Sequence, residues 1–264
     1  MTATRAEALQ APGTQRMLGR AAAYQLLSLA FSYPEAECLG QLQTLIEDVS
    51  DHRVAQDLDL RAPLEALAVA LKSATPDALA GEHTRLFAGQ VVCSAHETEY
   101  EFDPFAKARQ LADISGFYRA FGLQVAEGRA GLPDFIAAEL EFMSFIVLKQ
   151  AYAAVHAWEE REQLSADAQR KFIEDHLGRW VPLFCRNLAR LGTGFYAAAA
   201  DLCDRFLRAE VELVGARPQP LAKRITFVDD DEEFTCGLAA PPDGEAEGSG
   251  GPDRVGETGG GESA

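Results

Sequence analysis

Apolar residues recur at helical spacing along almost the whole chain. Met17, Ala21, Tyr24, Leu27 and Phe31 step by three and four until Pro34 stops the run, and Leu39, Leu42, Ile46 and Val49 repeat the stripe. Leu60, Leu64, Leu67 and Leu71 form a third. Thr75-Pro76-Asp77 reads as an N-cap, a first-turn proline and a dipole-stabilising acid, opening a helix with His83, Leu86 and Phe87 that closes at Gly89. Asp103-Pro104 repeats the signal ahead of Leu111, Ile114, Tyr118 and Phe121, with a stop at Gly122. After a break over residues 128–133, the stripe Ile136, Leu140, Met143, Val147 runs on to Trp158. Phe135, Phe142, Phe145 and Ile146 widen it, so this helix is expected to be central. Ser165 is read as the cap of another helix, kinked or broken near Pro182, and Thr193 opens the last one, with Tyr196, Leu202, Phe206, Val211 and Leu213. No run reads as an alternating strand except one short polar segment. The pattern predicts an all-α, single-domain helical bundle over residues 14–228, after a flexible N-terminus, residues 1–13.

Charge changes this picture at one end. The formal charge of the 264 residues is −17, which disfavours a phosphate-backbone partner, so no nucleic acid is expected. Residues 229–264 hold 11 acids, one base and 9 of the 22 glycines, with almost no large apolar residue after Leu238. So little apolar surface cannot offset backbone ordering, and a disordered acidic Gly-rich tail is expected there. Five widely spaced cysteines without a CxxC pair suit reduced thiols in a cytoplasm. Residues 21–33 superficially copy a signal-peptide core behind Arg16 and Arg20. Tyr24, Gln25 and Ser28 interrupt that core, no small-x-small site precedes Pro34, and the run is too short to span a bilayer. No stable membrane insertion is expected.

Common catalytic signatures are absent: there is no Gly-rich phosphate loop, HExxH or GxSxG. Cys93-x-x-His96-Glu97 is the nearest approach to a metal site. It supplies only a fragment, against the plainer reading of a loop cysteine and a solvated histidine, and no metal is expected. His52, His156 and His176 sit among charged neighbours and read as surface side chains. In residues 96–103 the acids Glu97, Glu99, Glu101 and Asp103 alternate. An extended backbone would put four carboxylates on one face and His96, Thr98, Tyr100 and Phe102 on the other. Such a ladder attracts a basic peptide; the alternative is a solvated loop leading into the Asp103 cap. Asp113 has a helical ion-pair partner in Arg109, and Asp134 reads as the N-cap or first-turn acid of the central helix. Glu139 and Glu141 lie in so apolar a run that each must face a groove, a buried partner or a narrow solvent strip. A groove mixing apolar residues and carboxylates suits an amphipathic or Arg-containing peptide helix.

Two segments make the chain recognisable. Asp113-Ile-Ser-Gly-Phe-Tyr-Arg-Ala-Phe-Gly-Leu123, followed by Leu132-Pro-Asp-Phe-Ile-Ala-Ala-Glu-Leu-Glu-Phe-Met143, closely resembles the paired signature of the TorD/DmsD/NarJ family of redox-enzyme maturation chaperones. Glu82-His-Thr-Arg-Leu-Phe-Ala-Gly89 and Glu97-Thr-Glu-Tyr100 resemble the family's preceding helix and loop. The resemblance implies a TorD-like helical fold and a binding role without catalysis or a cofactor of its own. Family members bind the apo catalytic subunit of a molybdenum enzyme, often at its N-terminal leader, and hold it for cofactor insertion and, where applicable, twin-arginine export. The Glu-Thr-Glu-Tyr and Asp-Ile-Ser-Gly-Phe-Tyr forms look most like chaperones serving nitrate, selenate and chlorate reductases, dimethylsulfide dehydrogenase and ethylbenzene dehydrogenase, the type II group of the DMSO reductase family. The client contacts so implied are Glu97, Glu99, Tyr100, Asp113, Phe117, Tyr118, Pro133, Asp134, Phe135, Glu139, Glu141 and Met143. The family commonly has His after Pro-Asp, where this chain has Phe135, so no role of that histidine carries over.

The leading reading is therefore a cytoplasmic molecular chaperone whose partners are the apo catalytic subunit of a bis-molybdopterin guanine dinucleotide enzyme and its leader. The alternatives are a structural subunit of a membrane-bound reductase complex, or a small metal- or thiol-dependent enzyme using Cys93 and His96.

Overall fold

The computed structural model describes residues 4–88, 93–101, 103–125 and 132–221. These build α1 (Arg5–Gln10), α2 (Pro12–Phe31), α3 (Ala36–Asp51), α4 (Arg53–Asp57), α5 (Arg61–Ser73), α6 (Pro76–Phe87), α7 (Pro104–Ala120), α8 (Ile136–Val155), α9 (Glu159–Phe172), α10 (Gly178–Leu191) and α11 (Gly194–Val214). A 3-10 turn, Glu97–Tyr100, precedes α7, and a π turn, Ile173–Leu177, joins α9 to α10. The fold is all-α. Helix ends that rest on local chemistry form where the residues dictate. Thr75 Oγ1 accepts from Ala78 N (3.3 Å) at the start of α6, and Asp103 Oδ1 accepts from Phe105 N (3.0 Å) at the start of α7. Gly122, at φ +79°, ends α7 in the left-handed region that favours glycine.

Three expectations are corrected. The stretch 1–13, expected to be flexible, holds α1, because Thr4 and Glu7 complete a reciprocal capping box; α2 follows from Pro12. Ser165 lies inside α9 and donates to Arg161 O (2.9 Å) instead of capping. That helix starts at Glu159, after Ala157 takes a left-handed turn at φ +53°. The helical backbone continues through Pro182, and the irregularity sits a turn earlier at residues 173–177. The expected acidic tail, residues 229–264, lies outside the described residues, as do Gly89, Phe102 and most of the 128–133 break.

The central position of α8 is as expected: it packs chiefly on α2 and α9. Ser144 Oγ donates to Ala21 O (2.9 Å) and Ser28 Oγ to Ala137 O (2.8 Å), so hydroxyls from both helices fix the α2–α8 register. A second tie is ionic. Arg20 of α2 donates from Nε and Nη2 to the two carboxylate oxygens of Glu210 of α11, both at 2.7 Å. Nη2 also donates to Gln169 of α9 (2.9 Å), and Tyr24 OH to Glu210 (2.9 Å). Both charges are buried, and the two-pronged geometry satisfies most of their polar atoms.

Candidate functional site

The second signature segment and the stretch around Glu97 meet through backbone pairing. Ile136 N donates to Ala95 O (2.9 Å) and Glu97 N to Asp134 O (3.0 Å), an isolated antiparallel bridge centred on His96 and Phe135. The chain then coils into the 3-10 turn instead of extending. Thr98 donates from N (3.1 Å) and Oγ1 (2.6 Å) to Asp134 Oδ2, and Tyr100 OH donates to Ser94 O (2.8 Å), which holds the turn closed. Glu97 is consequently buried while Glu99 is exposed and 3.4 Å from Lys107. The acids do not share one face, and the ladder expectation is corrected.

Asp134 is not the helix cap; Phe135 holds that position. The Asp134 carboxylate is wholly buried and serves the junction, with Oδ1 also 3.2 Å from His96 Nδ1. Burial works against its charge, but hydrogen bonds from His96 and Thr98 outweigh it and hold the carboxyl below its ordinary value.

Behind this bridge lies a second layer. Glu97 accepts from Gln110 Nε2, and its other oxygen is 3.0 Å from His176 Nδ1. His176, expected at the surface, is buried, since the π turn carries it under the rings of Phe117 and Phe172, 5.6 and 4.9 Å away. Its Nε2 is 3.2 Å from Asp113 Oδ2. Asp113 thus lies against His176, and no ion pair with Arg109 forms.

Glu139 completes the layer. Trp180 Nε1 donates to its Oε2 (3.3 Å), while Oε1 is buried without a hydrogen-bond partner among the described residues. Burial, reinforced by repulsion from Glu97, pushes its carboxyl well above the ordinary range. An acid with a raised native pKa contributes stability below its unfolded value of 4.5, and that contribution is lost as pH rises. Glu139→Gln is therefore expected to stabilise the fold at pH 8 by about 1 kcal/mol or more, a tenfold protonation preference being worth about 1.4 kcal/mol. The gain should shrink toward pH 4. Urea unfolding across a pH series reads this directly, and a variant no more stable than the parent at pH 8 refutes it.

Of the other signature residues, Tyr118 is buried and donates to Pro133 O (2.7 Å), and Met143 and Tyr100 are buried in the core. Phe117 is half-buried. Glu97, Tyr100, Tyr118, Asp134, Glu139 and Met143 therefore build the junction. Glu99, Asp113 and Glu141 are exposed, and Pro133 and Phe135 are half-exposed. Gln110, His176 and Trp180, which the sequence did not single out for this site, are the partners that make the buried carboxylates tolerable.

Cys93 sits behind the bridge, buried, with its thiol pushed up to about 12 by burial. Among the described residues no group of three or more His, Cys, Asp or Glu side chains is placed to hold a metal ion. Cys38, Cys93, Cys185 and Cys203 carry free thiols. No described helix is long and apolar enough to cross a membrane.

The chain is similar to several known proteins. The chain is 41% identical over 107 residues to the perchlorate reductase assembly chaperone protein of Dechloromonas aromatica (strain RCB), covering 39% of this chain and 45% of that relative, so less than half of its length. It is 26% identical to the selenate reductase assembly chaperone protein of Thauera selenatis, over 64% of this chain and 76% of the relative. It is 28% identical to the chlorate reductase assembly chaperone protein of Ideonella dechloratans, over 41% and 55% respectively. Residues 54–186, from α4 into α10 and spanning the whole junction, match the family described as nitrate reductase delta subunit. With half of its length and both signature segments inside that match, the chain belongs to the nitrate reductase delta subunit family, that of the NarJ- and TorD-type chaperones.

Proposed function

We propose that this chain is a cytoplasmic assembly chaperone. It holds the apo catalytic subunit of a bis-molybdopterin guanine dinucleotide enzyme, through its leader or an adjoining surface, until the cofactor is in place. The supporting observation is the junction itself. Tyr118 ties α7 to Pro133 and Thr98 ties the 3-10 turn to Asp134, while Glu99, Asp113 and Glu141 on the same segments are exposed. An acidic edge formed by these residues with the half-exposed Pro133 and Phe135 would suit a peptide bearing Arg or Lys. The thiol-enzyme alternative is disfavoured by the buried, protonated Cys93.

Co-purification from the native cell, with and without molybdate, tests the role. A cofactor-free catalytic subunit captured preferentially in molybdate-starved cells is the expected result. Stoichiometric presence in the mature enzyme would instead make this chain a structural subunit.

The edge is tested separately. Glu99→Gln/Glu141→Gln should leave the fold intact, since both side chains are exposed. It should slow association of a leader peptide by about threefold to tenfold at low salt, with much less effect on dissociation, because rim charges chiefly steer encounter. Stopped-flow rates across a salt series check this, and equal rates with parallel salt slopes would remove both acids from the site.

A further inference from the structure

At the far end of α8 from the signature junction, α1, the start of α2, the end of α7, the second half of α8 and the start of α9 enclose an open groove of about 910 Å³. Its apolar members are unusually accessible: Leu148 is 45% exposed, Tyr152 57% and Trp158 39%. Exposed aromatic and aliphatic residues gathered in one concavity are characteristic of interaction sites. Its charged members are Arg5, Lys149 and Arg161, and among the described residues no carboxylate lines it. None of the three cations forms an ion pair with a described residue. Lys149 lies over the Phe121 and Phe145 rings (5.5 and 5.1 Å) and Arg161 over Trp158 (4.4 Å), which holds the charges at the groove wall with their donors free. In a chain of net charge −17 this concentration of unpaired cations around an apolar floor is a local inversion of sign.

We propose that this groove is a docking site for an acidic amphipathic helix of another polypeptide. Its apolar face lies on Leu148, Tyr152 and Trp158, and its flanking carboxylates meet Arg5, Lys149 and Arg161. The charge complementarity is opposite to that of the acidic edge beside Glu99 and Glu141, so one basic leader does not suit both places. The groove provides a second, independent point of attachment whether or not the acidic edge binds a leader.

The test uses the full chain and three synthetic amphipathic helices of about four turns. They share a Leu/Phe face and carry glutamate, glutamine or lysine flanks. Of the two tryptophans, Trp180 is fully buried and Trp158 lines the groove, so intrinsic fluorescence reports occupancy. The glutamate peptide should bind at least about tenfold more tightly than the glutamine peptide at low salt, and this margin should collapse near 1 M salt, where the Debye length is about 3 Å. Lys149→Glu/Arg161→Glu should reverse the order in favour of the lysine peptide, and Lys149→Gln/Arg161→Gln should abolish it. A thermal melt confirms that these exposed substitutions leave the fold in place. Equal binding of all three peptides, or no fluorescence response, overturns the proposal. A full-length variant with residues 229–233 changed to amides that binds the glutamate peptide about tenfold more tightly assigns the groove to the chain's own acidic stretch. Sedimentation that shows a dimer split by Tyr152→Ala assigns it to a second copy. Either outcome also overturns docking of another polypeptide.

Discussion

Arg20→Met is expected to destabilise the fold by about 3–5 kcal/mol, the usual cost of removing one partner from a buried ion pair. The substitution leaves the fully buried Glu210 carboxyl without its arginine, and among the described residues the Tyr24 hydroxyl is what still donates to it. It also frees Gln169 from its tie to α2. Arg20→Met/Glu210→Leu should recover most of the loss, since replacing both charges with apolar groups of similar volume is often neutral or favourable. Denaturant unfolding of the two singles and the double gives the coupling directly. If the double variant is as unstable as the Arg20 single, the burden lies in packing of the arginine stem and not in the orphaned carboxylate.

Asp134→Ala is expected to cost about 3 kcal/mol and to abolish client maturation, because the carboxylate satisfies Thr98 N, Thr98 Oγ1 and His96 together. Each buried donor left without a partner costs about 1–3 kcal/mol. The pH dependence has a definite sign. A carboxyl held below its ordinary value of 3.8 contributes stability above that pH and loses it as pH falls through its native value. The parent should therefore lose stability in acid more steeply than Asp134→Asn, which keeps the shape but does not titrate. Parallel acid-unfolding curves for parent and Asn variant would show that the carboxylate charge is irrelevant to the junction.

What could be read from the sequence was what short-range chemistry determines. Thr75-Pro76 and Asp103-Pro104 start helices because a cap needs only its own three or four neighbours. The α8 stripe was legible because the Ile136, Leu140, Met143 and Val147 spacing survives whatever packs on it. Ser165 misled because a hydroxyl that suits a cap can equally return to the carbonyl four residues back. The alternating acids misled because alternation implies a shared face only on an extended backbone. Here Thr98 finds Asp134, 36 positions away, and the backbone coils. His176 was hidden by its charged neighbours Glu174 and Asp175, since the extra residue of the π turn alters which side faces the core. The signature acids read as client contacts could not be sorted by burial from spacing alone: Glu97, Asp134 and Glu139 have no contact with solvent.

The ion pair between Arg20 and Glu210 joins residues separated by 190 positions. Polypeptides emerge from the ribosome at about 5–20 residues per second, so Arg20 waits roughly 10–40 s for its carboxylate partner to be synthesised. Throughout that interval α2 has an uncompensated guanidinium on the face that α9 and α11 will later cover, and closing that face early would bury a lone charge. A nascent chain stalled before Glu210 is therefore expected to keep the Arg20 face of α2, which α11 later covers, open to water even after α8 and α9 have emerged.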